Sequence, residues 1–193
     1  AYAGIPVTHR DYASSFHVIT GHEGAHKDSE VLDYGTLAQE EGTLVFLMGL
    51  KNLPNIVKNL TEKGKHPDTP AAVIQEGTTS RQKVVTGTLR TIVEEAARGG
   101  IRTPAITVVG DVVSLEKEIP WYGHGPLFGR RVLVTGTKKM TARQRRVLEA
   151  EGAEVISLGL IETKPLAAEK LAAAADRLSE YTWIVFTSSN GVD

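Results

Sequence analysis

Short, nearly unbroken apolar runs recur along this chain, with segments of helical periodicity between them. "TLVFLMG" (43–49), "AAVIQEG" (71–77) and "PAITVVG" (104–110) are too short for buried helices and rich in β-branched residues, so they read as buried strands. "RQKVVTGTL" (81–89) reads as a further strand with a bulge at Gly87. "LPNIVKNLTEKG" is a helix with Pro54 in its first turn, Ile56, Val57 and Leu60 on one face, and a stop at Gly64. "LRTIVEEAARGG" is another, with Leu89, Ile92, Val93 and Ala96 aligned. "DVVSLEKEI" reads as a closing helix halted by Pro120. Upstream, Tyr12, Phe16 and Ile19 predict a short amphipathic helix over 11–20 ended by Gly21, and a weak helix follows within 28–42. Strands this apolar, alternating with helices, demand an α/β sheet covered on both faces.

The pattern then restarts. "WYGHGPLFGRRVLVTG" (121–136) leads into a strand at 131–135, a helix at 141–152 with Thr141 and Gln144 in capping-box spacing, and a strand at 153–160. An Ala-rich helix opened by Pro165 and a strand beginning at Trp183 complete a β-α-β-α-β series, the start of a doubly wound parallel sheet. The seam predicts domains at 1–122 and 130–193 joined by a linker at 123–129. A linker of this kind lets its neighbours reorient and is the expected first site of proteolysis.

The 193 residues are 41% hydrophobic, carry a net charge of −1 and include no cysteine. This composition supports a packed core and rules out disulfides, thiolate metal sites and Cys nucleophiles. No run approaches a membrane span, and the first residues lack a secretory pattern. Arg130, Arg131, Lys138, Lys139, Arg143, Arg145 and Arg146 face only Glu149 in the stretch 126–149. They form either a solvated face or a polyanion site.

"HEGAH" (22–26) matches the zinc-protease spacing, but Gly21 and Gly24 flank and interrupt it, and no third ligand follows on a helix. "GHGPLFG" precedes a strand where a dinucleotide loop would follow one, and "TGTKKMT" lacks the Walker frame. The strand ends say more. Met48-Gly49 and Gly77-Thr78 close their strands, where open α/β sheets bind ligands. Pro104 and Ala105 open theirs, so they join this group only in a mixed sheet.

Four ordered blocks, "GIPVTHRDYASSFHVITGHE", "TLVFLMGLKNLPNIVKNL", "EGTTSRQKVVTGTL" and "TPAITVVGDVVSL", resemble the C-terminal half of the uroporphyrinogen-III C-methyltransferases of the tetrapyrrole methylase family. The resemblance covers about residues 1–122. It implies methyl transfer from S-adenosylmethionine to two ring carbons of uroporphyrinogen III, giving precorrin-2 on the way to sirohaem and cobalamin. It further implies a homodimer of two-domain subunits with the cofactor in the cleft between domains; the absence of cysteine fits a cytoplasmic location. By motif matching, Met48, Gly77, Pro104 and Ala105 contact the cofactor. Arg10, Arg81, Lys83 and Arg102 are candidate counter-charges for the carboxylates of the substrate. The family's Gly-rich cofactor loops and its acid and base belong upstream of Ala1. The chain alone is therefore expected to bind cofactor weakly or not at all, and to be inactive.

"GRRVLVTG", "LEAEGAEVISLGLIE" and "YTWIVFTSSNGV" resemble the beginning of the uroporphyrinogen-III synthases, which close hydroxymethylbilane into a ring without a cofactor. The resemblance makes Thr187, Ser188 and Asn190 candidates for binding tetrapyrrole carboxylates. Gly136 stands where that family usually has Arg. Two alternatives stay open: a Rossmann-like nucleotide or nucleic-acid binding module using the cluster 130–146, and a zinc hydrolase. The leading reading requires no metal, nucleic acid or membrane.

Overall fold

The computed structural model describes residues 1–21, 32–164 and 168–187. Among these residues, seven strands and five α-helices form two units. In the first, β1 (Phe16–Thr20), β2 (Thr43–Leu47), β3 (Pro70–Gln75), β4 (Lys83–Thr88) and β5 (Ala105–Val109) make one sheet in the order β1-β2-β5-β3-β4. β1 and β2 are parallel, whereas β5 runs antiparallel to both β2 and β3, and β4 antiparallel to β3.

Both faces of this sheet are covered, which is why its strands read as continuous apolar runs. Along β3, Ala71 and Val73 join a core with Leu44, Phe46, Leu89 and two helices, α2 (Leu53–Glu62) and α3 (Ile92–Arg98). Ala72 and Ile74 face the opposite way, onto Ile5, Val112 and Val113. The second layer thus comes from the first residues of the chain and a 3-10 helix, Asp111–Lys117, where the sequence predicted a closing helix. The short α1 (Tyr34–Gln39) is capped by Asp33, whose carboxylate accepts from Thr36 N at 3.1 Å. At the end of β2 the backbone crosses that of Gly21 closely: a Cβ on Gly21 would lie 2.7 Å from Gly49 Cα, so position 21 must be glycine.

Two expectations fail in this unit. Residues 16–20 form a strand because they pair in register with Thr43–Leu47; the spacing of Phe16 and Ile19 fits a helix, and pairing overrides it. Gly87 makes no bulge, since the β3–β4 register is unbroken from Pro70↔Thr88 to Gln75↔Lys83. Instead, a Cβ there would meet Thr91 Oγ1 at 2.7 Å.

The second unit is a right-sized β-α-β element: β6 (Arg131–Thr137), α4 (Lys138–Ala150) and β7 (Glu154–Ile161), with the strands parallel. The helix is capped by Thr137, whose Oγ1 accepts from Met140 N at 3.3 Å. Thr141, expected as the cap, lies inside the helix, where its hydroxyl donates to Lys138 O. The helix α5 (Ala168–Ala175) follows. Residues 183–187 form no strand; Trp183 is 83% exposed, and strand-forming residues without a pairing neighbour stay irregular.

The seam is packed rather than loose. Tyr122 makes edge-to-face contacts with Tyr2 at 4.9 Å and Phe128 at 5.6 Å, and Trp121 Nε1 donates to Ala1 O at 3.0 Å. Leu127 N donates to Glu151 O at 3.0 Å, fastening the loop 123–129 to the end of α4. Among the described residues no helix is long and apolar enough to cross a membrane.

Candidate functional site

Because β5 is antiparallel to its neighbours, its first residues lie beside the last residues of β2 and β3. Ile106 pairs with Leu47 and Ala105 with Gln75. The mixed sheet therefore satisfies the condition that the sequence set for Pro104 and Ala105. Met48, Gly77, Pro104 and Ala105 line one open cavity of about 1120 Å³, with Leu47, Ile74 and Ile106 as its apolar floor. Glu76 N donates to Pro104 O at 3.0 Å, so two of these strand ends are hydrogen-bonded to each other.

Among the described residues, three non-glycine residues have left-handed backbone, and all three line this cavity: Met48 (φ 56°), Glu76 (φ 45°) and Thr78 (φ 71°). Such conformations cost about 1–3 kcal/mol each and concentrate at ligand clamps. Here they turn the chain sharply after β2 and β3, which leaves Met48 64% exposed at the rim. Thr78 was legible as a strand end beside Gly77, but nothing in the sequence marked Glu76 or the left-handed backbone of either residue.

Of the proposed counter-charges, Arg81 reaches the wall, where its Nε donates to Glu76 Oε2 at 2.7 Å. Lys51 also lines the cavity and had no sequence signal beyond its place after "LMGL". Arg10 sits in the exposed turn closed by the His9↔Ala13 bridge and does not line it; neither do Lys83 and Arg102. Arg102 instead contributes its backbone N–H to the side-chain oxygen of buried Gln75, at 2.6 Å.

Comparison with known proteins places both units. Residues 1–93 match the model of the tetrapyrrole (corrin/porphyrin) methylases, and residues 142–193 that of uroporphyrinogen-III synthase HemD. The chain thus joins a segment that matches the tetrapyrrole methylases to one that matches uroporphyrinogen-III synthase HemD. It is 39% identical, over 99% of its length, to the porphyrin biosynthesis protein HemD of Ruminiclostridium josui, of which it covers 38%. Over 69% of its length it is 47% identical to the uroporphyrinogen-III C-methyltransferase of Bacillus subtilis, covering 27% of that protein. The chain thus spans less than two-fifths of the length of both relatives. A crystal structure of the uroporphyrin-III C-methyltransferase of Thermus thermophilus, complexed with S-adenosylhomocysteine, aligns with 59% of the chain at a TM-score of 0.50 and 28% identity, over 49% of its own length. These relatives give no support to a nucleotide or nucleic-acid binding module.

In the synthase segment, the carboxyl ends of β6 and β7 and the start of α4 enclose a second cavity of about 730 Å³, lined by Thr137, Lys138, Lys139 and residues 159–163. The basic cluster is partly neutralised within the segment: Arg145 pairs with Glu149 at 2.7 Å, and Arg131 with Glu154 at 2.9 Å. Gly136 has φ 150°, a backbone conformation that an arginine side chain would strain. Thr187 is exposed, while Ser188 and Asn190 lie outside the described residues, as does "HEGAH". Among the described residues no cluster of His, Asp and Glu is arranged to hold a metal ion.

Proposed function

We propose that the methylase segment supplies one wall of the S-adenosylmethionine site of a uroporphyrinogen-III C-methyltransferase, and that the synthase segment belongs to a uroporphyrinogen-III synthase in the same protein. The observation that carries this reading is the convergence of Met48, Gly77, Pro104 and Ala105 on one cavity whose rim also holds the three left-handed non-glycine residues.

The wall suits the cofactor chemically. Leu47, Ile74 and Ile106 offer apolar surface to a flat base, and the Met48 thioether is a polarizable partner for it. Gly77 permits close approach of the backbone to the ligand. When bound, the cofactor supplies a methyl group on a sulfonium; displacement in line requires this chain chiefly to hold one partner in place. Arg81 and Arg10, with Thr187, Ser188 and Asn190 of the synthase segment, are assigned to the carboxylates of the tetrapyrrole. Residues 1–122 and 130–193 are assigned as the two domains and 123–129 as their link, in a homodimeric, cytoplasmic protein.

The test is an NMR titration of the chain with S-adenosylhomocysteine. Weak binding with shifts at Met48, Gly77 and Ala105 is expected. A Cβ at Gly77 would meet nothing closer than Ile74 Cγ2 at 3.5 Å, so a side chain can be introduced there, and the amide spectrum of Gly77→Val away from the cavity reports that the fold is kept. The variant is expected to bind about ten-fold or more weakly, the loss of a close backbone approach. Shifts confined to other residues, or unchanged affinity in Gly77→Val, refute the assignment.

A further inference from the structure

The loop 76–82 is a thin partition. On one side it walls the 1120 Å³ cavity; on the other, Thr78, Thr79, Ser80 and Arg81 line a smaller cavity of about 540 Å³ whose far wall includes Arg145, Glu149 and Glu154 of the synthase segment. Two of its residues, Glu76 and Thr78, hold left-handed backbone that something must stabilise. Part of that support is local. Thr79 Oγ1 donates to Glu76 O at 2.8 Å, and Thr78 N donates to Gln82 Oε1 at 2.9 Å. Gln82 Nε2 in turn donates to Tyr2 O at 3.1 Å.

Further support crosses the seam. Ser80 is buried, and its Oγ donates to Glu154 Oε2 at 2.8 Å across 74 positions of sequence. Glu154 is itself fixed. It opens β7 opposite Arg131, its N–H donates to Arg130 O at 2.9 Å, and Arg131 Nε and Nη2 donate to its two oxygens at 2.9 and 3.3 Å. One carboxylate therefore serves both as the anchor of the β6–β7 pair and as the acceptor for a hydroxyl of the partition.

We propose that Glu154 is a positioning residue which latches the partition through Ser80, so that ligand occupancy of the methylase cavity and docking of the synthase segment are energetically coupled. The coupling is reciprocal: whatever stabilises the loop on one side favours the docked arrangement on the other. The latch itself rests on the geometry alone. Its consequence for cofactor binding rests on the proposed function.

The test is amide exchange of Thr78, Thr79, Arg81 and Gln82 in the whole chain. Ser80→Ala and Glu154→Ala are each expected to speed exchange about three- to ten-fold, the effect of losing one charge-assisted hydrogen bond. The double variant is expected to be no faster than Glu154→Ala alone, because the contact that Ser80→Ala removes is then already lost. Ser80→Thr keeps the hydroxyl and restores the slow rate, and Arg145→Ala leaves it unchanged. S-adenosylhomocysteine is expected to slow exchange at Glu154 and Val155 in the parent chain and not in Ser80→Ala. Additive single effects, or rates within about two-fold of the parent, overturn the latch. If S-adenosylhomocysteine does not bind, the cofactor assignment falls and the exchange rates of the variants alone decide the latch.

Discussion

The two segments carry the same kind of strand and bury it very differently. In the methylase segment β2 and β3 lie inside the sheet between two layers, and Leu44, Phe46, Ala71, Ala72 and Val73 are inaccessible. In the synthase segment, among the described residues, β6 and β7 pair only with each other, and just one of their apolar side chains, Val134, is buried. Leu133, Ile156, Leu158 and Leu160 are exposed, Leu160 by 70%. A short apolar run thus states what a strand is able to bury; the layers packed around it decide what it does bury.

The strongest way to break this contrast is to truncate one side chain in each sheet. Phe46→Ala removes a fully buried ring from the shared core and is expected to cost about 3–5 kcal/mol in urea unfolding. Leu158→Ala, at a position 42% exposed, is expected to cost less than about 1 kcal/mol. Equal costs would mean that something covers the β6–β7 face in solution and that the contrast is wrong.

A smaller effect is expected at the seam. A Cβ on Gly125 would lie 2.1 Å from Glu151 O and 2.4 Å from its carbonyl carbon, and backbone there has little freedom to yield. Gly125→Ala is expected to pry the loop from α4, break the Leu127–Glu151 hydrogen bond and cost about 1–3 kcal/mol, as overpacking does. Chymotrypsin reports the change. The packing of Tyr122 and Phe128 moves the expected first cut away from the linker to the exposed aromatic residues Trp183 and Phe186. Early cleavage after Tyr122 or Phe128 is expected only in Gly125→Ala. Cleavage there first in the parent chain would restore the loose linker that the sequence suggested.

How far the sequence could be read depended on whether a feature is local. The buried strands β2, β3 and β5 were legible because both faces of each are covered, leaving no polar alternation to confuse them. Met48, Gly77, Pro104 and Ala105 were legible as strand ends, but their convergence depends on β5 being antiparallel, which no local pattern states. β1 was misread because Phe16 and Ile19, three apart, fit one helical face, and only pairing with β2 makes the segment a strand with these two side chains on opposite faces. The cap of α4 was placed at Thr141 by its spacing to Gln144, whereas Thr137 at the end of β6 performs it. Glu76 and Thr78 carry backbone imposed by the turn they occupy, and nothing in their chemistry announces it. The hydrogen bond from Ser80 to Glu154 spans the seam, so neither segment read alone contains it.

That bond also sets the subtlest expected difference between the segments, a pH dependence. The Glu154 carboxyl is held below the usual glutamate range, first by the hydrogen bond from Ser80, then by that from Arg131, with the charges of Arg131 and Arg81 adding to it and desolvation opposing. A carboxylate whose pKa is lower folded than unfolded stabilises the fold above the unfolded value, and that contribution is lost as pH falls through the folded one. Asp33, held down by Thr36, and Glu180, held down by Arg177, lose stabilisation in the same direction, so acid sensitivity of the chain as a whole identifies none of them. The difference between the parent and Glu154→Gln does. Glutamine retains a carbonyl oxygen for Ser80 but no charge for Arg131. Urea unfolding from neutral pH downward is expected to show the parent more stable at neutral pH and the two curves converging below the glutamate range, the change being small because the pair is partly exposed. A gap that stays constant with pH would show that shape alone, and not the charge of Glu154, joins the synthase segment to the methylase wall.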